Sequence, residues 1–387
     1  MNIFDTKFDY KGRLEKVRKL MDERDIDCLF VHNWVNQYYI AGVYQHLPWY
    51  PLYHGSDGEL PVILFRNRAM DPVYLTGYLT DRPVRAGTWI DDVRVWHRSS
   101  PISAYEYTAE VLKEKGLDNG KIGLEEDCCT VSTFTNLQKA MPKAQFKHAS
   151  NVFKLARVVK EPEEIELIKK AVSIGESALK VAMDVAKPGV AEMDVQRAME
   201  MEMKRLGGFR EVETMVQSGV RTADYRAFGT EWKKIGENEL VMADLGCVYK
   251  GYGCDITRTW VVGTATQEQK KIAQDLYKIQ EKILAFIKPG LKYYEVVDFA
   301  RKELTAAGYP GNEHAFPCHL FSLHGLGLGP FHDPPDRELK DIILESGMVL
   351  SVQPSVRQET FTIRFEDDAV LRPGGLELMT KLPRELI

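Results

Sequence analysis

The tripeptide Lys-Pro-Gly occurs in two matched settings, Ala186-Lys-Pro-Gly-Val190 and Ile287-Lys-Pro-Gly-Leu291, offset by 101 residues. A helical apolar period runs into each copy, and an amphipathic segment leaves each one, Met193 to Leu206 and Tyr294 to Ala307. Glycines then end both segments, Gly207-Gly208 in the first and Gly308 in the second. Proline and glycine stop helices, so either copy alone reads as an ordinary helix end. The matched flanks say more: a helix–stop–helix unit is duplicated, and a duplicated half tends to place its site at the seam between copies. Between the copies lies VMADLGCVYKGYGCDITRTW, two apolar stretches around a glycine-rich turn, carrying Asp244 and Asp255. Carboxylates at the ends of adjacent strands aim at one spot, where they repel unless a cation or a shared proton lies between them.

The N-terminal part has a different rhythm. Leu14, Val17, Leu20 and Met21 have helical spacing, and Ile26 to Val31 reads as a buried strand followed by Asn33 and Asn36. Pro61 to Phe65 and Lys121 to Leu124 read as further strands, with helices over Ser103–Lys115 and Thr130–Ala140. This alternation predicts an α/β domain over residues 1–157. Near Val159-Lys-Glu-Pro162 a new helix starts, with Pro162 in its first turn and Glu161, Glu163 and Glu164 at its positive end. A second, α+β domain with the internal duplication is expected over 158–387.

The 387 residues carry a net charge of −5, which offers no basic footprint for nucleic acid or an anionic membrane. The chain has no apolar run of membrane-spanning length, and its first residues lack the apolar core of a signal peptide. Six scattered cysteines without a Cys-x-x-Cys pair suit a reducing cytoplasm. Cys247 and Cys254 flank the aspartate turn and read either as small buried thiols or as soft ligands.

Three later stretches carry chemistry. The run SLHGLGLGPFHDPP (322–335) holds His324 and His332 among glycines; GMVLSVQP (347–354) leaves Gln353 at a strand tip; TIRFEDDAVL (362–371) sets Arg364 and Glu366 in a strand pattern. Two Asp, one His and one Glu form a hard, mixed nitrogen–oxygen set suited to one or two ions of Mn²⁺, Fe²⁺, Co²⁺ or Zn²⁺. Singly each signal is weak, since an isolated histidine is more often structural and Asp255 before Thr257 also suits a turn cap.

Together these residues resemble the pita-bread metallopeptidases: methionine aminopeptidase, Xaa-Pro dipeptidase, aminopeptidase P and, on the same fold, creatinase. The family pattern D-x-G-x-x-x-x-G-Y-x-x-D-x-T-R-T is met at its own spacing by Asp244-Leu-Gly246, Gly251-Tyr252 and Asp255-Ile-Thr-Arg-Thr259. The resemblance implies that Asp244, Asp255, His324 and Glu366 ligate the metal, with Glu366 bridging. It also implies that His332 contacts substrate and that His332 and Glu366 are catalytic. The N-terminal part resembles the α/β domain of prolidases and creatinase. A C–N hydrolase of dipeptides with metal-activated water as nucleophile, assembled as a homodimer, is what the family leads one to expect.

Three departures matter. Gln353-Pro354 stands where the family usually has Glu-Pro, and an amide can ligate only weakly and cannot shuttle a proton. Arg226 stands seven residues beyond Gly219, where the family often has a histidine; an arginine there reads as a clamp for an anionic substrate group, or as a surface residue. His324 and His332 are eight apart where seven is usual. The leading expectation is therefore a metal-dependent dipeptidase with one metal position weakened. A specialised enzyme for a small amino-acid derivative or osmolyte is the alternative, resembling creatinase, ectoine hydrolase or a dimethylsulfoniopropionate lyase. Arg226 and Arg364 would then bind a carboxylate, and the aromatic run Trp34, Tyr38, Tyr39, Tyr44, Trp49, Tyr50 and Tyr53 reads as a cation-binding surface or as core. A catalytically silent binding homologue is the third expectation, supported by Gln353 alone.

Overall fold

The structure is a computed structural model that describes residues 7–43, 60–210, 214–224, 229–310, 323–328 and 341–384. Arg226, His332, Cys318, Tyr44, Trp49, Tyr50 and Tyr53 lie outside the described residues. The chain divides into two compact units, Met1–Ala156 and Arg157–Ile387.

In the first unit six strands are described: β1 (Cys28–Val31), β2 (Val62–Phe65), β3 (Val73–Gly77), β4 (Asp92–Trp96), β5 (Lys121–Leu124) and β6 (Gln145–His148). They form one sheet in the order β4-β3-β2-β1-β5-β6, parallel except where β2 meets its two neighbours. The expected helices form as Ala104–Glu114, with Ser103 and Glu106 closing a capping box, and Val131–Ala140, with Thr130 as its cap. Strands β3 and β4 and the helix Asp81–Gly87 between them were not foreseen. Tyr38 and Tyr39 are buried, and Tyr39 stacks on Arg13 and donates to the Ala156 carbonyl, so this part of the aromatic run is core.

The second unit shows the duplication directly. Helix Pro162–Val185 leads through Gly189 (φ 87°) to helix Glu192–Arg205, and helix Gln267–Phe286 leads through Gly290 (φ 94°) to helix Tyr293–Ala306. Both glycines occupy the left-handed region that favours a residue without Cβ. The turns bond alike: Gly189 N–H donates to Ile235 O and Gly290 N–H to Leu344 O, each at 2.8 Å. Isolated bridges Ala191–Lys234 and Lys292–Ile343 repeat the match.

The strands described here are β7 (Phe209–Arg210), β8 (Met215–Ser218), β9 (Glu239–Tyr249), β10 (Tyr252–Val262), β11 (Leu323–Gly325), β12 (Val349–Val352), β13 (Ser355–Arg357), β14 (Thr362–Arg364), β15 (Asp367–Arg372) and β16 (Gly375–Leu378). The long hairpin β9–β10 anchors one sheet, with β7 and β8 both pairing β9; the order β11-β12-β15-β16 forms a second, and β13 pairs β14. Hairpin register sets Asp244 opposite Thr257, Asp255 opposite Gly246 and Cys247 opposite Cys254. Strand alternation then puts Asp244, Thr257 and Asp255 on one face and the cysteine pair on the other. That second face packs under helix Pro162–Val185, where a Cβ on Gly175 would meet Cys254 Sγ and Leu245 Cδ1 at 3.0 Å. The two cysteines are thus buried packing groups and not ligands, and burial pushes the Cys254 thiol up, with Cys247 adding to the rise.

The hairpin joins the second sheet through the backbone and through Arg258. Glu366 N–H donates to Thr257 O at 3.1 Å, and Thr259 Oγ1 donates to Arg364 O at 3.0 Å. Arg258 is fully buried, and its five N–H groups reach Pro383 O, Thr257 O, Glu366 O, Asp367 Oδ1 and Leu382 O at 2.6–3.0 Å. One guanidinium therefore ties the hairpin, the Glu366 backbone and the C-terminal segment together.

Candidate metal centre

Four strands converge on the site. Asp244 comes from β9, Thr257 and Asp255 from β10, His324 from β11 and Ser351 from β12, while Glu366 sits in the break between β14 and β15. Sheet register places His324 opposite Ser351, and Ser351 opposite Asp368. All of these side chains are buried, His324 and Glu366 completely.

The closest grouping is Asp255, His324 and Glu366, whose ligand atoms lie within 4.8 Å of one another. His324 Nε2 stands 3.5 Å from Asp255 Oδ2 and 3.4 Å from Glu366 Oε1. On its other side, Nδ1 is 3.2 Å from Gly325 O, which selects the tautomer with the proton on Nδ1. Nε2 then faces two carboxylate oxygens, so one nitrogen and two oxygens of a mixed donor set converge on one point.

Asp244 is held differently. Its Oδ2 accepts from Arg364 Nη2 at 2.8 Å, and its Oδ1 lies 2.8 Å from Thr257 Oγ1. Arg364 Nη2 also reaches Glu366 Oε2 at 2.6 Å, and Thr257 Oγ1 is 2.6 Å from that oxygen. One hydroxyl hydrogen serves one carboxylate at a time, so Thr257 leaves the other for a different partner. Ser351 Oγ donates to Glu366 Oε1 at 2.8 Å.

Charges explain the titration pattern. Among the described residues, the buried carboxylates of Asp244, Asp255 and Glu366 face one permanent cation, Arg364. Burial, with Glu366 and Asp244 repelling, pushes the Asp255 carboxyl well above the usual range. Burial also opposes ionisation of Glu366, but Arg364 and the His324 contact outweigh it and hold Glu366 below the ordinary range. Burial pulls Arg364 down, and Asp244 and Glu366 more than restore it. The donor set and its net negative charge fit a divalent cation.

Of the residues singled out in the sequence, Asp244, Asp255, His324, Arg364 and Glu366 come together. Gln353 follows β12 directly, two residues beyond Ser351 and buried, which by alternation puts it on the site-facing side. Arg364, 5% exposed, directs its Nη2 to Asp244 and Glu366 and fixes their orientation. The Ser218–Gly219 turn before Arg226 rests on buried Glu192, which accepts from Ser218 N, Ser218 Oγ and Arg221 Nε.

Thr257, Ser351 and Asp368 were missed as site residues. Thr257 lay in the matched motif, and Asp368 among the acidic neighbours of Glu366. Asp368 Oδ2 accepts from Asp255 N–H at 3.0 Å, and burial pushes its carboxyl well above the usual range.

Residues 166–373 match the family model for metallopeptidase family M24, and residues 13–159 match that for the creatinase/prolidase N-terminal domain. The chain belongs to metallopeptidase family M24, a family of divalent-metal enzymes on the pita-bread fold. An Xaa-Pro dipeptidase of Pyrococcus furiosus is 28% identical to it over 385 residues, covering 97% of this chain and 100% of that protein. A solved Xaa-Pro dipeptidase from Bacillus anthracis superposes with a TM-score of 0.84 at 27% identity, covering 98% of this chain and 99% of that one. The prolidase from Pyrococcus horikoshii does so with a TM-score of 0.83 at 26% identity, covering 97% and 100%. Among the described residues no helix is long and apolar enough to cross a membrane.

Proposed function

We propose that residues 158–387 form the catalytic part of a metal-dependent hydrolase that cleaves the C–N bond of Xaa-Pro dipeptides. The observation that carries this reading is the grouping of Asp255, His324 and Glu366, whose ligand atoms lie within 4.8 Å of one another, beside Asp244 and Arg364. Asp244, Asp255, His324 and Glu366 would hold one or two ions of Mn²⁺, Fe²⁺, Co²⁺ or Zn²⁺. Bound there, such an ion supplies Lewis acidity and an activated water nucleophile.

The surrounding residues have separate tasks. Arg364 and Ser351 hold Glu366 ionised and aligned, which suits it to be a ligand and makes it a poor proton carrier. Thr257 spaces Asp244 from Glu366 with its shared hydroxyl. Gln353 is neutral at neutral pH and cannot accept the proton released by the nucleophile. His332 is assigned to the substrate, to stabilise the developing oxyanion or protonate the leaving nitrogen. Arg226 is assigned to the substrate carboxylate.

Gln353 also supports a second reading, a specialised hydrolase or lyase of a small amino-acid derivative on the same scaffold. Turnover separates the two. Purified protein supplied with Mn²⁺ or Co²⁺ is expected to hydrolyse Ala-Pro and Gly-Pro. Failure on both dipeptides, with turnover of a small N-substituted amino acid, would replace the first reading by the second.

A further inference from the structure

The N-terminal unit holds a cluster with no part in the metal centre. Cys128 Sγ lies 3.4 Å from His32 Nε2, and His32 Nδ1 lies 3.4 Å from Glu125 Oε2. The Phe30 carbonyl is also 3.4 Å from Nδ1. Two acceptors on that side keep the imidazole proton on Nδ1 and turn the basic Nε2 toward the sulfur. Glu125 is fixed by three donors: the amides of His32 and Asn33 reach Oε2 at 2.7 and 2.8 Å, and Asn36 Nδ2 donates to Oε1. The His32 and Glu125 side chains are each 4% exposed, whereas Cys128 reaches solvent as a free thiol. Nucleophile, base and orienting carboxylate thus stand in a line, an arrangement that activates a thiol.

Two further features favour the thiolate. Cys128 stands two residues before Thr130, the cap of helix Val131–Ala140, so the positive end of that helix lies next to it. Asn33 Nδ2 is 3.7 Å from Sγ and comes from the cap of helix Trp34–Ala41. Against these, the Glu125 carbonyl at 3.3 Å accepts from the protonated thiol. The two acidic residues that precede Cys128 have contacts of their own: Glu126 meets the His148 imidazole, and Asp127 pairs with Lys154. His32, Glu125 and Cys128 also meet the spacing of a metal site. Glu125 is already held by three donors, however, and the two histidine nitrogens face opposite partners, which favours proton relay over chelation.

We propose that Cys128 is a second reactive centre, a thiolate with His32 as its base and Glu125 as a positioning residue, which exchanges with low-molecular-weight disulfides. His32 Nε2 takes the thiol proton, and Cys128 Sγ attacks one sulfur of R–S–S–R. The Cys128–S–S–R bond forms as the original S–S bond breaks, and the departing R–S⁻ recovers the proton from His32. The exchange is balanced, with the disulfide as the only oxidant.

The test uses the reduced full-length chain, oxidised glutathione as probe, and site-resolved mass spectrometry after acid quench. Cys128 is expected to react roughly tenfold faster than Cys129 at pH 7, with a rate–pH inflection below the ordinary thiol value of about 8.5. His32→Asn is expected to move that inflection up to the ordinary value and leave the Cys129 rate unchanged. Should that variant not fold, the wild-type profile alone decides. Equal rates at Cys128 and Cys129, or an inflection at the ordinary value, would overturn the proposal. So would an inflection that His32→Asn does not move, or stoichiometric Zn²⁺ protection of Cys128 reversed by chelator.

Discussion

Asp255→Asn is expected to stabilise the metal-free protein while abolishing its response to metal. Asp255 is 4% exposed, and its Oδ2 lies 3.5 Å from His324 Nε2. Burial and the charges of Glu366 and Asp244 raise its pKa, so at neutral pH its ionisation opposes folding. Each tenfold shift in that ionisation corresponds to about 1.4 kcal/mol, and an amide of the same shape removes the penalty. Metal binding reverses the balance. At a free ion concentration of a hundred times Kd, binding stabilises the native state by about 2.7 kcal/mol. For a chain of 387 residues that is a rise of roughly 3 °C in Tm. If losing this ligand weakens binding about a hundredfold, the same concentration contributes only about 0.4 kcal/mol. Thermal unfolding of wild type and variant at pH 7.5, with chelator and with Mn²⁺, reads both effects. A variant destabilised in chelator that still gains full stability from Mn²⁺ would show that Asp255 is a structural carboxylate and refute the reasoning.

Gln353→Glu is expected to tighten Mn²⁺ binding and raise kcat for Ala-Pro, by up to roughly 10²-fold if the missing group is a proton carrier; steady-state kinetics at saturating metal check this. The pH dependence has a definite sign. Because the folded-state pKa of Asp255 is raised, the stability it contributes is complete below the ordinary carboxylate value of about 4 and is lost as pH rises through the raised value. The metal-free protein should therefore lose Tm over that rise, while the gap between metal-loaded and metal-free Tm widens, as calorimetry across pH would record. Arg258→Lys removes the five-bonded guanidinium between the hairpin and the C-terminal segment. It is expected to cost about 3 kcal/mol in urea unfolding and to lower activity by releasing the Glu366 backbone.

The duplication was legible because helix stops need special residues: Lys-Pro-Gly marks both turns, and the structure bonds them alike. The aspartate hairpin was legible for a similar reason, since its glycine turn and apolar flanks leave few alternatives. Local pattern could not show which carboxylates meet. Asp244 and Asp255 form the sequence pair, yet Asp255 groups with His324 and Glu366 while Asp244 turns to Arg364, a division set by how β10 meets the second sheet. Ser351 was hidden for the same reason, being a small residue in an apolar strand whose role depends on the register with His324. The contacts of Arg364 were hidden because charge type does not reveal direction; the buried Asp244 and Glu366 carboxylates draw its Nη2 inward. In the first unit, β3 and β4 went unseen although Val73–Leu75 is an apolar run and Asp92–Val95 alternates polar and apolar residues; both are only five residues long. The cluster around Cys128 was equally invisible, since His32 and Glu125 are 93 positions apart and meet only when β1 and β5 pair.

The central claim is that the buried acidic cluster is a metal centre. Equilibrium dialysis of chelator-stripped wild type and Asp255→Asn against Mn²⁺ at pH 7.5, followed by elemental analysis, tests it most directly. The account predicts at least one tightly held ion per wild-type chain and little or none in the variant. Equal retention by both proteins, or none by either, would contradict it.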